Sequence, residues 1–283
     1  MTIKLIAIDM DATLLRHDKT YDIPRFKKLL ATLSERGVKV CIATGNSIQK
    51  LHSYFDDEMR MQLYFAGDNG NQISKGDEVL RNLEIMPNDY QQVIEFLNQS
   101  SGFYPAVCTG YETYIAADLP THIEEYIRQY NPNLVVVEDL LATNLAHPPI
   151  KIAIASEHNL EDNKAMMQAM NTQFPAVRTV TSGEIWLDVY HRDGGKGSAI
   201  QFLQERYHIS LGETMAFGDS LNDETMMLTV EYSVAMGNAD ADLARLCRYQ
   251  IGTNEEQAVL DTLEQLVATD NLDFIEKYAI QYI

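Results

Sequence analysis

Short apolar runs that stop in polar turns alternate, over the first 83 residues, with stretches of helical periodicity. Residues 3–8 are almost continuously apolar and end in Asp9-Met10-Asp11-Ala12-Thr13-Leu14. Apolarity without alternation predicts a central parallel strand covered on both faces. Phe26, Leu29, Leu30 and Leu33 recur at helical spacing between positions 24 and 36, and Gly37 stops the run. Residues 38–43 predict a second buried strand, which ends in Thr44-Gly45-Asn46-Ser47 before a further helix. Residues 62–66 predict a third, ending in Gly67-Asp68-Asn69-Gly70-Asn71. Strand–helix–strand order with polar residues at each strand's carboxyl end predicts an α/β fold with a doubly wound parallel sheet.

Beyond residue 83 the rhythm changes. A helix is predicted over 88–98, and strands over 103–108 and 112–116 flank Thr109-Gly110-Tyr111 as a hairpin. A helix over 119–130, a strand over 150–155 and a helix over 160–172 follow. Strands over 176–181 and 184–189 then meet at Ser182-Gly183. Antiparallel pairs mixed with helices predict an α+β insert over 84–189, with 1–83 and 190–283 forming one core around it. The α/β rhythm resumes where Gly194-Gly195-Lys196-Gly197 opens a helix running to Arg206. A strand over 214–217 ends in Gly218-Asp219-Ser220-Leu221-Asn222-Asp223, and one over 232–235 precedes Met236-Gly237-Asn238-Ala239.

Charge and cysteine usage narrow the partners. The 283 residues carry 22 Lys+Arg and 41 Asp+Glu, a net charge of −19. Nucleic acids and anionic membranes reward clustered Lys and Arg, so neither is an expected partner. An anionic substrate would need local help from a metal or a few placed cations. Cys41, Cys108 and Cys247 are far apart and in no CxxC arrangement, which fits small buried hydrophobes in a reducing compartment. The apolar run at 5–8 stops at Asp9, too soon for a signal peptide or a membrane span, so the protein is expected to be soluble and cytoplasmic.

In an open parallel sheet, ligands bind beyond the carboxyl ends of the strands. Collected there are Asp9, Asp11, Thr13, Thr44, Asn69, Asp219, Asn222 and Asp223, with Lys196 at a helix start. Crowded carboxylates would protonate or spread apart unless a cation sat among them. Hard oxygen ligands with no His or Cys beside them point to Mg2+. A phosphate monoester would account for both the metal and the lysine.

The motifs Asp-Met-Asp-Ala-Thr-Leu at 9–14, Thr-Gly at 44–45, Lys196 and Gly-Asp-Ser-Leu-Asn-Asp at 218–223 resemble, in order, the four motifs of the haloacid dehalogenase (HAD) superfamily of phosphohydrolases. The insert, Asn69-Gly70, the segment Val234-Ala235-Met236-Gly237-Asn238-Ala239 and Thr253-Asn254-Glu255-Glu256 resemble the Cof-like sugar phosphatase subfamily with its C2-type cap. The resemblance implies a Rossmann-like core with an α+β cap that sets substrate specificity, and a phosphoric monoester hydrolase acting on a small phosphorylated metabolite such as a sugar phosphate, as monomer or homodimer. It implies that Asp9 is the nucleophile that forms an aspartyl-phosphate. Asp11 would be the acid and then the base, its main-chain carbonyl touching Mg2+. Asp9, Asp219 and Asp223 would complete the metal site, directly or through water. Thr44, the Gly45 N–H, Lys196 and the Asn222 amide would hold the phosphoryl oxygens.

Plainer roles compete with these. A lone Asp after a strand is commonly a cap or an Asx turn, Asn222 and Asp223 could cap the helix at 224–228, and Asn69 could be only a turn residue. Lys196 could be a solvated lysine, although cations are disfavoured at helix N-termini. His17, His191 and Arg192 lie beside motifs but suit solvent or helix-face roles, while Phe103, Tyr104, Tyr111 and Tyr114 suit packing. Two positions depart from the resemblance. Ala12 stands where most relatives have Gly, a methyl that crowds the loop if φ is positive there. Asn46 stands where most Cof-like proteins have Arg. A phosphomutase of the same superfamily, or a catalytically weak phosphometabolite-binding sensor, are the alternatives.

Overall fold

The computed structural model describes residues 2–131, 133–181, 185–269 and 271–280. The first αβ unit comprises β1 (Leu5–Asp9), α1 (Ile23–Glu35), β2 (Lys39–Ala43), α2 (Ile48–His52), α3 (Asp57–Gln62) and β3 (Tyr64–Gly67), followed by β4 (Gln72–Lys75) and β5 (Glu78–Asn82). The insert holds α4 (Pro87–Leu97), β6 (Phe103–Cys108), β7 (Thr113–Ala116), α5 (Thr121–Tyr130), β8 (Leu134–Val137), β9 (Lys151–Ser156), α6 (Leu160–Gln173), β10 (Val177–Thr181) and β11 (Trp186–His191). The chain then returns through α7 (Lys196–Tyr207), β12 (Thr214–Gly218), α8 (Glu224–Met227), β13 (Tyr232–Ala235), α9 (Ala241–Ala244), β14 (Tyr249–Gln250) and α10 (Ala258–Thr269).

Among the described residues the core sheet has eight strands, ordered β14-β13-β12-β1-β2-β3-β4-β5. The pairs from β14 to β3 are parallel, and β4 and β5 add an antiparallel edge. Alternate residues of β1 face opposite sides: Ile6 and Ile8 pack with α1 and α10, Leu5 and Ala7 with α7 and α8. Both faces are covered, so every residue of β1 is buried, as its unbroken apolar run predicts. The insert forms a second sheet, β10-β11-β9-β6-β7-β8, antiparallel except for β7 with β8, over its own apolar core.

Several elements escape the pattern reading. Strand β4 carries Gln72 and Ser74, both buried, so no apolar alternation announces it, and β5 is a half-exposed edge. The two-residue β14 is too short to leave a periodic signal. Strand β8 is only half buried and exists through its pairing with β7. The turn expected at Ser182-Gly183 lies outside the described residues.

The close approach of α7 to α8 depends on Gly197. A β-carbon there would run into the Thr225 carbonyl, and the Gly197 N–H donates to Thr225 Oγ1 at 3.2 Å. This contact seats the first turn of α7, and with it Lys196, under the strand tips. Replacing Gly197 by Ala is expected to destabilise the protein by about 1–3 kcal/mol in denaturant unfolding, because the clash is with backbone and cannot be relieved by a rotamer change.

Candidate active site

The parallel pairing of β1 with β12 brings two distant acidic segments together. Ile8 lies in register with Phe217, so Asp9 and Asp219 leave neighbouring strand ends. Oxygens of Asp9, Asp219 and Asp223 all lie within 4.8 Å of one another. Lys196 Nζ, fully buried at the start of α7, donates to Asp9 Oδ1 and to Asp223 Oδ1, each at 2.6 Å. Asp223 spends its other oxygen on the backbone N–H groups of Asp219 (3.1 Å) and Ser220 (3.3 Å). It is therefore both a capping residue and part of the charged cluster. Thr13 Oγ1 donates to Asp219 Oδ1 at 3.0 Å.

One ammonium does not balance three carboxylates. Burial raises the Asp9 carboxyl well above the ordinary range; Lys196 pulls the other way, while Asp223 and Asp219 add to the rise. Asp219 is pushed up to about 6, by burial first and Asp223 second. Burial alone would lower the Lys196 ammonium, but Asp223 and Asp9 more than offset it, so it stays protonated. The cluster is thus short of positive charge. It offers only carboxylate oxygens, a donor set that fits a hard divalent cation.

Asp11 is in the same cleft but not in the cluster. Its side chain accepts from Lys19 Nζ at 2.7 Å and from Asn46 Nδ2 at 3.0 Å. Thr44 directly follows β2, buried, and its Oγ1 accepts from the N–H and Nδ2 of Asn46. Asp9, Asp11, Thr44, Gly45, Asp219 and Asn222 line one cleft of about 770 Å3, with Lys196 and Asp223 buried beneath its floor.

The two departures have structural counterparts. Ala12 has φ 58°, the left-handed region, where its methyl costs about 1 kcal/mol relative to glycine. Asn46 brings no cation, but Lys19 reaches the same carboxylate from the opposite side. Asn69 is both a left-handed turn residue (φ 56°) and a contact to the insert, donating from Nδ2 to Asp188 Oδ2 at 2.8 Å.

Sequence reasoning missed the far wall of the cleft, where the insert contributes Lys151, Tyr126, Tyr130, Lys164 and Trp186. Only Lys151 left a signal, a lone charge heading the apolar run of β9. His17 and Arg192 are exposed and the three cysteines are buried free thiols. Phe103 and Tyr114 pack in the insert's core. Among the described residues no helix is long and apolar enough to cross a membrane.

The sequence model of the haloacid dehalogenase-like hydrolases matches residues 6–263. The 5-amino-6-(5-phospho-D-ribitylamino)uracil phosphatase YbjI of Escherichia coli K12 is 27% identical over 270 residues, covering 94% of this chain and 97% of its own. The crystal structure of SMU.1108c from Streptococcus mutans UA159 is 28% identical, with a TM-score of 0.87 over 94% of this chain and 99% of that one. The HAD subclass IIB sugar phosphatase BT4131 shares the fold at 20% identity, with a TM-score of 0.77 over 93% and 98%.

The charge imbalance fixes the sign of a pH effect. Asp219 has a folded pKa of about 6 against an ordinary 3.8, so between those values the folded state holds the extra proton. Without a divalent cation, stability is therefore lost as pH rises through that window. In EDTA, Asp219→Asn is expected to melt progressively higher than the unchanged protein between about pH 4 and pH 6, by a few degrees at about 2 °C per kcal/mol for this size, with the difference levelling off above that. Millimolar Mg2+ should raise the midpoint of the unchanged protein at pH 7.5 and leave the variant nearly unmoved, as thermal denaturation will show.

Proposed function

The chain belongs to the haloacid dehalogenase-like hydrolases, and from that membership we propose that it is a Mg2+-dependent phosphatase hydrolysing a small phosphorylated metabolite, a sugar phosphate or related ester. The observation that carries this reading is the buried junction of Asp9, Asp219, Asp223 and Lys196 at the open end of two adjacent parallel strands. The E. coli relative named for a phosphorylated ribitylamino-uracil adds support for a phosphate ester of modest size. The same proposal takes 1–83 with 190–283 as the catalytic core and 84–189 as the cap. It places the work in the cytoplasm, a reducing compartment in which the free thiols of Cys41, Cys108 and Cys247 fit.

Asp9 is the nucleophile: a carboxylate oxygen forms a bond to phosphorus as the bond to the leaving oxygen breaks. Asp11, whose side chain faces the cleft between Lys19 and Asn46, gives the leaving oxygen its proton. In the second half a water attacks the aspartyl-phosphate, Asp11 takes the water's proton, and the Asp9 carboxylate is released with inorganic phosphate. Asp9, Asp219, Asp223 and the Asp11 carbonyl would hold Mg2+, which when bound supplies charge neutralisation for the phosphoryl group. Thr44 Oγ1, the Gly45 N–H and the Asn222 amide hold phosphoryl oxygens, and Lys196 opposes the effect of burial on Asp9, favouring the carboxylate form that attacks.

Release of phosphate from p-nitrophenyl phosphate is expected with Mg2+ and not with EDTA, and Asp9→Asn should lower kcat by at least about 10^3-fold. Turnover at the unchanged level in that variant would remove Asp9 from its role. A panel of phosphorylated sugars and ribitylamine derivatives separates the alternatives: transfer to a sugar hydroxyl marks a mutase, and binding without turnover marks a sensor.

A further inference from the structure

A second buried lysine, unused by the chemistry above, joins the insert to the core. Lys151, at the head of β9, sends its ammonium into the seam between the two sheets. It donates to the Gly45 carbonyl at 2.7 Å, pairs with Asp68 at 2.8 Å, and lies 3.9 Å from Asp188. All three ionic side chains are almost completely buried. Burial alone would lower the Lys151 ammonium, but Asp68 and then Asp188 raise it further, so it carries its charge.

The contact to Gly45 closes a pattern. The carbonyls of Thr44, Gly45 and Asn46 are held one after another. Asn69 N–H donates to Thr44 (2.8 Å), Lys151 Nζ to Gly45, and Asp68 N–H to Asn46 (2.8 Å). The first and third donors are backbone groups of the core; the middle one comes from the insert. In a trans peptide the C=O and the next N–H point in opposite directions. Fixing the Gly45 carbonyl therefore fixes the Asn46 N–H, which donates to Thr44 Oγ1 at 3.2 Å. The Asn46 side chain in turn donates to Asp11 Oδ2 at 3.0 Å. A chain of direct contacts thus runs from the insert, through one peptide plane, to Thr44 and Asp11.

We infer that Lys151 is a positioning residue that couples docking of the insert to the geometry of the phosphate-binding turn, so that the turn is fully braced only while the two sheets are closed together. The inference rests on the reading of Thr44–Gly45 as that turn. By linkage, a phosphoryl ligand held by the turn favours the docked arrangement, and docking tightens the ligand by the same factor.

Two readouts that need no turnover test it. Orthovanadate affinity in the presence of Mg2+ is measured by calorimetry. The separation of insert and core is measured between spin labels on cysteines introduced at the exposed positions Lys28 and Gln168, the native thiols being buried. Lys151→Met is expected to weaken vanadate binding about tenfold, some 1.4 kcal/mol, and to lengthen and broaden the distance distribution. Asp68→Asn keeps the side-chain volume and the backbone bond to Asn46, and should act in the same direction by a smaller factor. If both variants bind vanadate as the unchanged protein does, with the same distances, the coupling is absent whatever happens to the melting temperature. If Lys151→Met does not fold, Asp68→Asn alone decides by the same criteria. An unchanged protein that binds no vanadate counts against the functional reading instead, and the ligand-free distances then decide whether Lys151 docks the insert.

Discussion

The ammonium of Lys196, buried between Asp9 and Asp223, is the interaction on which the arrangement of the site depends. Asp9 and Asp219 are brought together by hydrogen-bonded strands, and like charges held that close in a water-poor setting repel strongly. Lys196 answers part of that repulsion and ties three separate segments of the chain, at Asp9, Lys196 and Asp223, to one point. Removing one partner from such a buried set typically costs about 3–5 kcal/mol, because the remaining charges are left uncompensated. The compensation is incomplete even when intact, as the upward displacement of Asp9 and Asp219 shows. Carboxyls displaced upward by burial and by neighbouring carboxylates, as those of Asp9 and Asp219 are, are suited to recruiting a cation.

The core is built to hold this tension in place. The strand ends are buried and covered on both faces, Gly197 lets α7 sit against α8 with no side chain between, and Asp223 is clamped by two backbone N–H groups. The loop directly after Asp9 carries backbone strain at Ala12, which occupies a left-handed conformation. The loop's surroundings enforce that conformation: Thr13 Oγ1 donates to Asp219, and Asn238 donates to the Ala12 carbonyl at 2.9 Å. A non-glycine residue with positive φ persists only where neighbouring bonds over-determine the backbone, which is the case here.

The cleft has walls of different character. Its floor and core side carry the acidic junction and the Thr44–Gly45 turn, and its far side is supplied by the insert. The two sides are not independent, since Lys151, Asp68, Asp188 and Asn69 make a buried polar seam between them. Buried charges at an interface contribute little net stability but discriminate sharply among arrangements, because any misdocking leaves them unpaired.

The local pattern of the chain was enough for the alternation of strands and helices and for the acidic turns at strand ends, and its motifs singled out Asp9, Asp11, Thr44, Lys196, Asp219 and Asp223, which the fold brings near one another. These are readable because burial imposes a period on apolar residues, and because a functional carboxylate at a strand's end interrupts that period abruptly. Only the tertiary structure decided that Asp223 divides its oxygens between a cap and a lysine, that Asn69 reaches across to Asp188, that Lys19 meets Asp11, and that Lys151 braces Gly45. The edge strands β4, β5 and β8 were likewise settled by pairing. The physical reason is common to all of them. A periodic pattern records which side of an element is buried, whereas a polar contact between segments far apart depends on the distances and angles set when separate elements pack.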